Sequence, residues 1–199
     1  MVAKRRGYFV KLYKIATLIV SLLTLMSIIA SVHPALLLLC YLVHELGHII
    51  TTYLVGGKIK KISMGAFRLA IGYDSYGLTY KQEFLVSISG VLFNLIFSLI
   101  CLLINKNGNE TLSFLTVCNF SLALVNLYPV SILDGGKVLK LTLLGLFSEN
   151  KAENISNTVS FICVILLWFA SVYLQLMFNA NISTLLISVF LLIQLCFSI

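Results

Sequence analysis

Long apolar runs limit what this chain can fold into more than any other feature of the sequence. They cover about residues 15–32, 35–55, 84–104, 111–130, 158–178 and 182–199. Each run is close to the roughly 20 residues that a helix needs to cross the hydrocarbon core of a bilayer. Charged residues make up only 11% of the chain, whereas an average soluble protein has about 25%. The sequence therefore predicts an all-α polytopic membrane protein with about six transmembrane helices, and we expect a single domain over residues 1–199.

The positive charges of the chain predict its orientation. The formal net charge is +7, from 14 Lys and Arg residues against 7 Asp and Glu residues. If the N-terminus is cytoplasmic, every basic residue except Lys106 lies at the cytoplasmic side of the predicted spans. The positive-inside rule favours this orientation. The basic character is thus explained by topology, and we expect the lipid bilayer, and no nucleic acid, as a partner.

The run at 35–55 contains an H-E-x-x-H motif, His44-Glu45-Leu46-Gly47-His48. Two histidines four residues apart on a helix lie on one face, so their imidazole nitrogens can reach the same Zn²⁺. A carboxylate inside an apolar run is costly unless it is neutralised, paired or hydrated, which favours a functional role for Glu45. We predict that His44 and His48 are zinc ligands and that Glu45 is the catalytic acid/base. The alternative is a chance motif whose histidines only hydrogen-bond neighbouring helices.

A second informative stretch follows the run at 111–130. It reads Asn126-Leu127-Tyr128-Pro129-Val130-Ser131-Ile132-Leu133-Asp134-Gly135-Gly136. Pro129 breaks the helix, which a membrane protein tolerates only where protein or a cavity satisfies the freed backbone groups. Asp134 would complete a set of three protein ligands, the number typical of a catalytic zinc. The alternative is that Asp134 caps a short helix that begins at Gly135.

The segment between the second and third runs changes character. Residues 58–80 alternate apolar and polar residues and include the turn-like Asp74-Ser75-Tyr76-Gly77. This pattern predicts a small β-hairpin at the cytoplasmic membrane surface. The hairpin would either add an extended substrate by edge pairing or only link two helices. Asn94, in the next run, is either structural or part of a substrate site together with Asn126 and Pro129.

The paired motifs H-E-L-G-H and N-x-x-P-x-x-x-L-D-G-G resemble those of the site-2 protease family of intramembrane zinc metalloproteases. The resemblance covers roughly residues 10–145. It implies that His44, His48 and Asp134 bind one Zn²⁺ per chain, that Glu45 is the acid/base, and that Asn126 and Pro129 belong to the family's N-P-D-G signature. It implies hydrolysis of a peptide bond in a membrane-tethered protein.

The run from Cys118 to Lys137 is most similar to the sporulation branch of that family, which releases a sigma factor from its membrane-tethered pro-form. Two residues depart from the pattern: Val91 stands where the family usually has the proline of G-P-x-x-N, and Ile132 stands where the branch often has proline. Neither position is a predicted ligand, so the departures bear on the branch more than on the chemistry. The CBS and PDZ domains of some relatives have no counterpart in residues 1–199.

Two other functions compete with a protease. A metal transporter also places His and Asp residues inside a membrane, although it usually distributes them along a route. An inactive scaffold would be favoured by the loss of Glu45 or of a ligand, and these residues are all present. The resemblance implies a bacterial cell membrane, with the active site opening to the cytoplasm. Membrane inhibitor proteins and a homo-oligomer stay open as further partners.

Overall fold

The fold is helical, with one pair of short strands. The computed structural model describes residues 34–57, 59–65, 68–73, 78–178 and 183–198. In chain order the elements are α1 Pro34–Leu54, β1 Ile59–Gly65, β2 Arg68–Tyr73, α2 Tyr80–Ile104, α3 Glu110–Leu127, α4 Asp134–Leu144, α5 Glu149–Phe178 and α6 Ser183–Ser198. The predicted span at 15–32 lies outside the described residues.

Four of these helices are long and apolar enough to cross a membrane. They are the ones that contain Ala35–Leu54, Tyr80–Ile104, Glu110–Leu127 and Glu149–Met177. The last predicted span corresponds to α6, which has 16 residues and is shorter than the others. Helix α4 has 11 residues and is not a span. The prediction of a helical chain with several apolar helices long enough to cross a membrane is thus confirmed, and the described residues contain four such helices.

Local sequence sets where the helices begin. Pro34 opens α1, at the position where a missing backbone N–H costs nothing. Thr79 and Gln82 form a capping box at the start of α2, in which each side chain accepts a hydrogen bond from the backbone of the other. Asn109 caps α3 by accepting a hydrogen bond from the backbone N–H of Leu112. These caps define where α2 and α3 begin.

The strands β1 and β2 pair antiparallel between α1 and α2. Gly65 pairs with Arg68, and Ile62 pairs with Ile71, so the chain reverses between Gly65 and Arg68. The sequence had placed the turn later, at Asp74–Gly77, because Asp, Ser and Gly favour turns. Those four residues lie outside the described part of the chain, and the pairing shows that they are not the turn between these two strands.

Helix α2 is at the centre of the described bundle and packs against α1, α3 and α4. Its buried residues include several small or polar ones, such as Ser87, Ser89, Gly90 and Asn94. A Cβ atom at Gly47 of α1 would lie 2.8 Å from the Ser89 carbonyl oxygen and 3.0 Å from the Gly90 Cα. Such small residues let two helix backbones approach closely in a membrane. The backbones of α1 and α2 therefore meet at the turn that carries H-E-x-x-H.

The loop from α3 to α4 is held by α5. Helix α3 ends at Leu127, because the residue before Pro129 is sterically disfavoured in a helical conformation. The Ser160 hydroxyl of α5 accepts a hydrogen bond from the Ser131 backbone N–H at 3.0 Å and lies 3.3 Å from the Pro129 carbonyl oxygen. The Tyr128 hydroxyl donates to the Cys163 carbonyl at 3.0 Å. Side chains and backbone of α5 thus satisfy polar groups that the broken helix leaves free.

Candidate metal centre

Three side chains from two separate elements converge at one point. Asp134 Oδ2 lies 2.9 Å from His44 Nε2 and 3.0 Å from His48 Nε2, and the two Nε2 atoms are 3.2 Å apart. The three residues form a group of potential metal ligands within the described part of the chain. Asp134 is 90 residues from His44 in the sequence. The fold therefore brings together the three residues that the sequence predicts as ligands.

The orientation of His48 is fixed by a backbone carbonyl. Its Nδ1 lies 2.7 Å from the carbonyl oxygen of Val86, in α2. A carbonyl can only accept a hydrogen bond, so Nδ1 carries a proton, and Nε2, which faces Asp134 and His44, is the nitrogen available to a metal. A second partner of this kind is typical of a metal-binding histidine. The sequence contains no signal for this contact, because any residue at position 86 supplies the same carbonyl.

The orientation of His44 depends on Asn94. Asn94 is fully buried, and its amide nitrogen lies 3.4 Å from His44 Nδ1. This contact places Asn94 behind a candidate ligand, since a buried amide in an apolar bundle needs a polar partner. The substrate-binding role that the sequence suggests for Asn94 stays a prediction.

Asp134 is the first residue of α4, and its carboxylate contacts both α1 and a lysine of its own helix. One oxygen faces the two histidines, and the other lies 3.2 Å from Lys137 Nζ. Burial raises the pKa of the Asp134 carboxyl, but hydrogen bonds with His44 and His48 and the charge of Lys137 outweigh burial and hold this pKa well below its usual range. The carboxyl is thus ionised, as a metal ligand must be. The capping alternative is not what the structure shows, because the N-cap is Leu133, which makes no side-chain capping bond.

The space around the three donor atoms fits a small ion. A Cβ atom at Gly90 would lie 2.5 Å from His48 Nε2 and 2.8 Å from His44 Nε2. Any larger residue at position 90 of α2 would therefore clash with both imidazole rings. Two neutral imidazoles and one carboxylate are a donor set that catalytic zinc sites use. The residues present therefore fit Zn²⁺.

The other predicted residues are not members of this group of three donors. Glu45 follows His44 directly and is half-buried. The Asn126 amide group donates to the Leu122 carbonyl of its own helix at 3.0 Å, and Pro129 is half-buried in the loop that α5 holds. Glu45, Asn126 and Pro129 thus keep some exposed surface, unlike Asn94.

Comparisons with known proteins point to one family. The family model described as peptidase family M50 matches residues 103–168. Stage IV sporulation protein FB of Bacillus subtilis is 30% identical over 135 residues, which are 66% of this chain and 46% of that protein. A zinc metalloprotease of Methanocaldococcus jannaschii is 29% identical over 171 residues, 82% of this chain and 48% of that protein. The chain thus spans less than half the length of these two curated relatives.

A solved structure agrees in fold. The site-2 protease from Methanocaldococcus jannaschii matches with a TM-score of 0.63 and 27% sequence identity, over 90% of this chain and 84% of that one. The similarity extends over most of the chain, whereas the family model covers mainly α3, α4 and the first part of α5. Sequence and fold therefore lead to the same family by separate comparisons.

Proposed function

Because this chain belongs to the site-2 protease family of membrane metalloproteases, we propose that it is a zinc-dependent intramembrane endopeptidase. The observation that carries the proposal is the convergence of His44, His48 and Asp134, which leaves three donor atoms within 4.8 Å of one another. A transporter would need a route of such groups. Among the described residues, this is the one cluster of three potential metal ligands.

The roles of the site residues follow from their chemistry. His44 Nε2, His48 Nε2 and Asp134 Oδ2 would hold the zinc ion. When bound, zinc supplies Lewis acidity, which activates water and polarises a peptide carbonyl. Glu45 would take a proton from the attacking water and return it to the nitrogen of the leaving amine. Glu45 suits this role because it adjoins a ligand and is not itself one of the three donors.

The substrate is a membrane-tethered protein whose backbone is extended at the cleavage site. A helical substrate hides its carbonyl groups in hydrogen bonds to the residue four positions on, so it must unwind before attack. Asn126 donates one hydrogen bond from its amide nitrogen to the Leu122 carbonyl of its own helix, and its Oδ1 would accept a hydrogen bond from an unwound substrate. Pro129 lies beside it, and β1 or β2 would offer an edge for pairing.

A pro-sigma factor is the substrate that we propose to test first. The support is the similarity of this chain to stage IV sporulation protein FB, together with the motifs that resemble the sporulation branch. A zinc protease could act on another membrane-tethered protein, so the experiment must test the pro-sigma substrate separately from the hydrolytic activity. Inhibitor proteins of the same membrane and a homo-oligomer would be further partners of such an enzyme.

The proposed location is a bacterial cell membrane, with the N-terminus and the opening of the active site on the cytoplasmic side. The support is the charge asymmetry, in which Lys106 alone lies on the outer side. A cysteine introduced as Asn107→Cys, in the loop between α2 and α3, should react with a membrane-impermeant maleimide in intact cells. Labelling only after the cells are opened would contradict this orientation.

The proposed activity is tested by Glu45→Gln. We expect co-expression of the native chain with a membrane-tethered pro-sigma factor to give a shorter product on a gel. The Gln variant should cleave about 10²- to 10⁴-fold more slowly, the usual contribution of a general acid/base, and should still bind one zinc ion. Equal cleavage by both chains would contradict the role of Glu45.

The remaining outcomes separate substrate from chemistry. If neither chain cleaves but the purified native protein holds one zinc ion, the pro-sigma substrate is wrong and the metal site stands. If the native protein holds no zinc, the proposed protease activity fails. Metal flux into vesicles that carry the protein would favour the transporter instead.

A further inference from the structure

The two ends of the Asn94 amide group are unequally satisfied by hydrogen bonds. Its amide nitrogen faces His44 Nδ1 at 3.4 Å, while its oxygen Oδ1 is buried and has no hydrogen-bond partner among the described residues. The NH₂ group and the oxygen of an asparagine amide have nearly the same shape, so which one faces a neighbour is decided by the hydrogen bonds. A buried acceptor without a donor costs about 1–3 kcal/mol.

Zinc decides which end of the amide must face His44. A metal-binding imidazole uses the lone pair of one nitrogen and carries its proton on the other. With Nε2 of His44 directed at the metal position, as its 2.9 Å distance to Asp134 indicates, Nδ1 carries the proton and becomes a donor. An amide NH₂ opposite that donor would be repelled. Rotating the amide by half a turn brings Oδ1 opposite Nδ1–H and gives the orphaned oxygen a donor.

The same face of α2 serves both histidines. Val86, Gly90 and Asn94 follow one another at intervals of four residues, so they lie along one side of the helix. The Val86 carbonyl accepts from His48 Nδ1, Asn94 lies at His44 Nδ1, and Gly90 between them leaves room for both rings. At its His48 end this face already presents an oxygen acceptor. An oxygen at the His44 end would orient both rings in the same way.

We propose that Asn94 is a positioning residue for the metal centre, whose carbonyl oxygen accepts the Nδ1–H of His44 and thereby directs Nε2 to zinc. This inference rests on the proposed zinc enzyme. It assigns Asn94 to the metal site rather than to the substrate, and it gives the side chain a defined role as an acceptor. Partners of this kind usually contribute about 10- to 100-fold to metal affinity.

The test compares three variants of the purified full chain in detergent. Asn94→Leu removes the acceptor at similar volume. Asn94→Asp keeps an oxygen acceptor and, when ionised beside a metal cation, cannot donate. Asn119→Leu is a matched control, because Asn119 is also fully buried and its Oδ1 also lacks a partner within the described part of the chain, but its amide nitrogen contacts Cys40 and Leu115 instead of a ligand. Zinc affinity is measured by competition with a chromophoric chelator, and the Co²⁺ absorption spectrum reports the ligand geometry.

We expect Asn94→Leu to bind zinc about 10- to 100-fold more weakly, with an altered Co²⁺ spectrum, and Asn119→Leu to stay within about threefold of the native affinity. Asn94→Asp is expected to bind as tightly as the native chain or more tightly. Native affinity in Asn94→Leu would overturn the proposal, as would equal weakening in Asn119→Leu.

Two further outcomes keep the test decisive. If Asn94→Leu does not fold, Asn94→Asp alone decides: affinity at the native level supports an acceptor, and a loss of tenfold or more indicates that the amide acts as a donor. Failure of the native chain to bind zinc would contradict the proposed enzyme itself, and so is distinguishable from failure of this inference.

Discussion

Single atoms of α2 determine whether the metal centre can form. Position 90 shows this most clearly, because the imidazole nitrogens of both histidines lie within 2.8 Å of the place where a Cβ atom would stand. The neighbouring backbone of α1 at Gly47 is equally close to α2, so the helices have little freedom to separate. A methyl group at position 90 would have to displace a ligand ring.

Gly90→Ala should therefore weaken zinc binding while the protein stays folded. Added volume in a packed site typically costs about 1–3 kcal/mol, which corresponds to about 5- to 150-fold in zinc affinity. The measurement is the zinc content of the purified protein after dialysis against a weak chelator. Gly145→Ala is the control, because its Cβ atom would meet only the Thr142 carbonyl oxygen, at 3.4 Å. Full zinc content in Gly90→Ala would show that the rings can move aside at little cost.

At the scale of elements, the third ligand is positioned by a loop and by the helix that holds the loop. Asp134 begins α4 directly after the broken end of α3, and Ser160 of α5 contacts the intervening loop at Ser131 and Pro129. Ser160 is a fully buried polar residue in a helix that is mostly apolar. Helix α5 therefore acts on the position of the Asp134 carboxylate through this loop, since Ser160 contacts the loop and not Asp134 itself.

Ser160→Ala should destabilise this loop. The Ser131 backbone N–H would lose its acceptor, at a cost of about 1–3 kcal/mol, and we expect a lower thermal midpoint and faster release of zinc to a chelator. Thr158→Ala, which removes a hydroxyl whose bond is to the Asn154 carbonyl of the same helix, should leave zinc release unchanged. Equal effects of the two changes would indicate that the hydrogen bond from the Ser131 backbone to Ser160 does not stabilise the loop.

For the whole molecule, the metal centre links α1 to α4, two elements that are distant in sequence. The histidines lie on α1 and the carboxylate lies on α4, with α2 packed against both. An unfolded chain has no such arrangement of ligands, so a metal that binds only the folded state adds its binding free energy to stability.

Zinc removal should therefore lower the stability of the whole bundle. A ligand at 100 times its Kd stabilises the folded state by about 2.7 kcal/mol, and we expect a chelator to lower the thermal midpoint and added Zn²⁺ to restore it. The same treatment of His48→Ala should shift the midpoint much less, because this variant lacks one of the three ligands. An equal shift in both proteins would mean that zinc stabilises the chain at another place.

The sequence by itself determined that the chain is mainly helical and apolar, and it indicated which residues could form a metal site. Runs of about 20 apolar residues can satisfy their backbone groups in a membrane only as helices, and histidines four residues apart must share a helix face. These local rules predict α1, α2, α3 and α5 and the pair His44 and His48. They also identify Asp134 as a candidate ligand, because an acidic residue beside a broken helix suggests a function.

Only the tertiary structure decided how these parts meet. The choice between capping and metal binding for Asp134 depended on where α4 packs. The role of Asn94 depended on which helix faces it, and the His48 contact depended on a backbone carbonyl that every residue type possesses. The turn of the strand pair was predicted wrongly, because turn residues at Asp74–Gly77 gave a stronger local signal than the pairing partners across the strands. Such contacts join residues far apart in sequence, so no local pattern records them, and the packing of α2 against its neighbours brings them together.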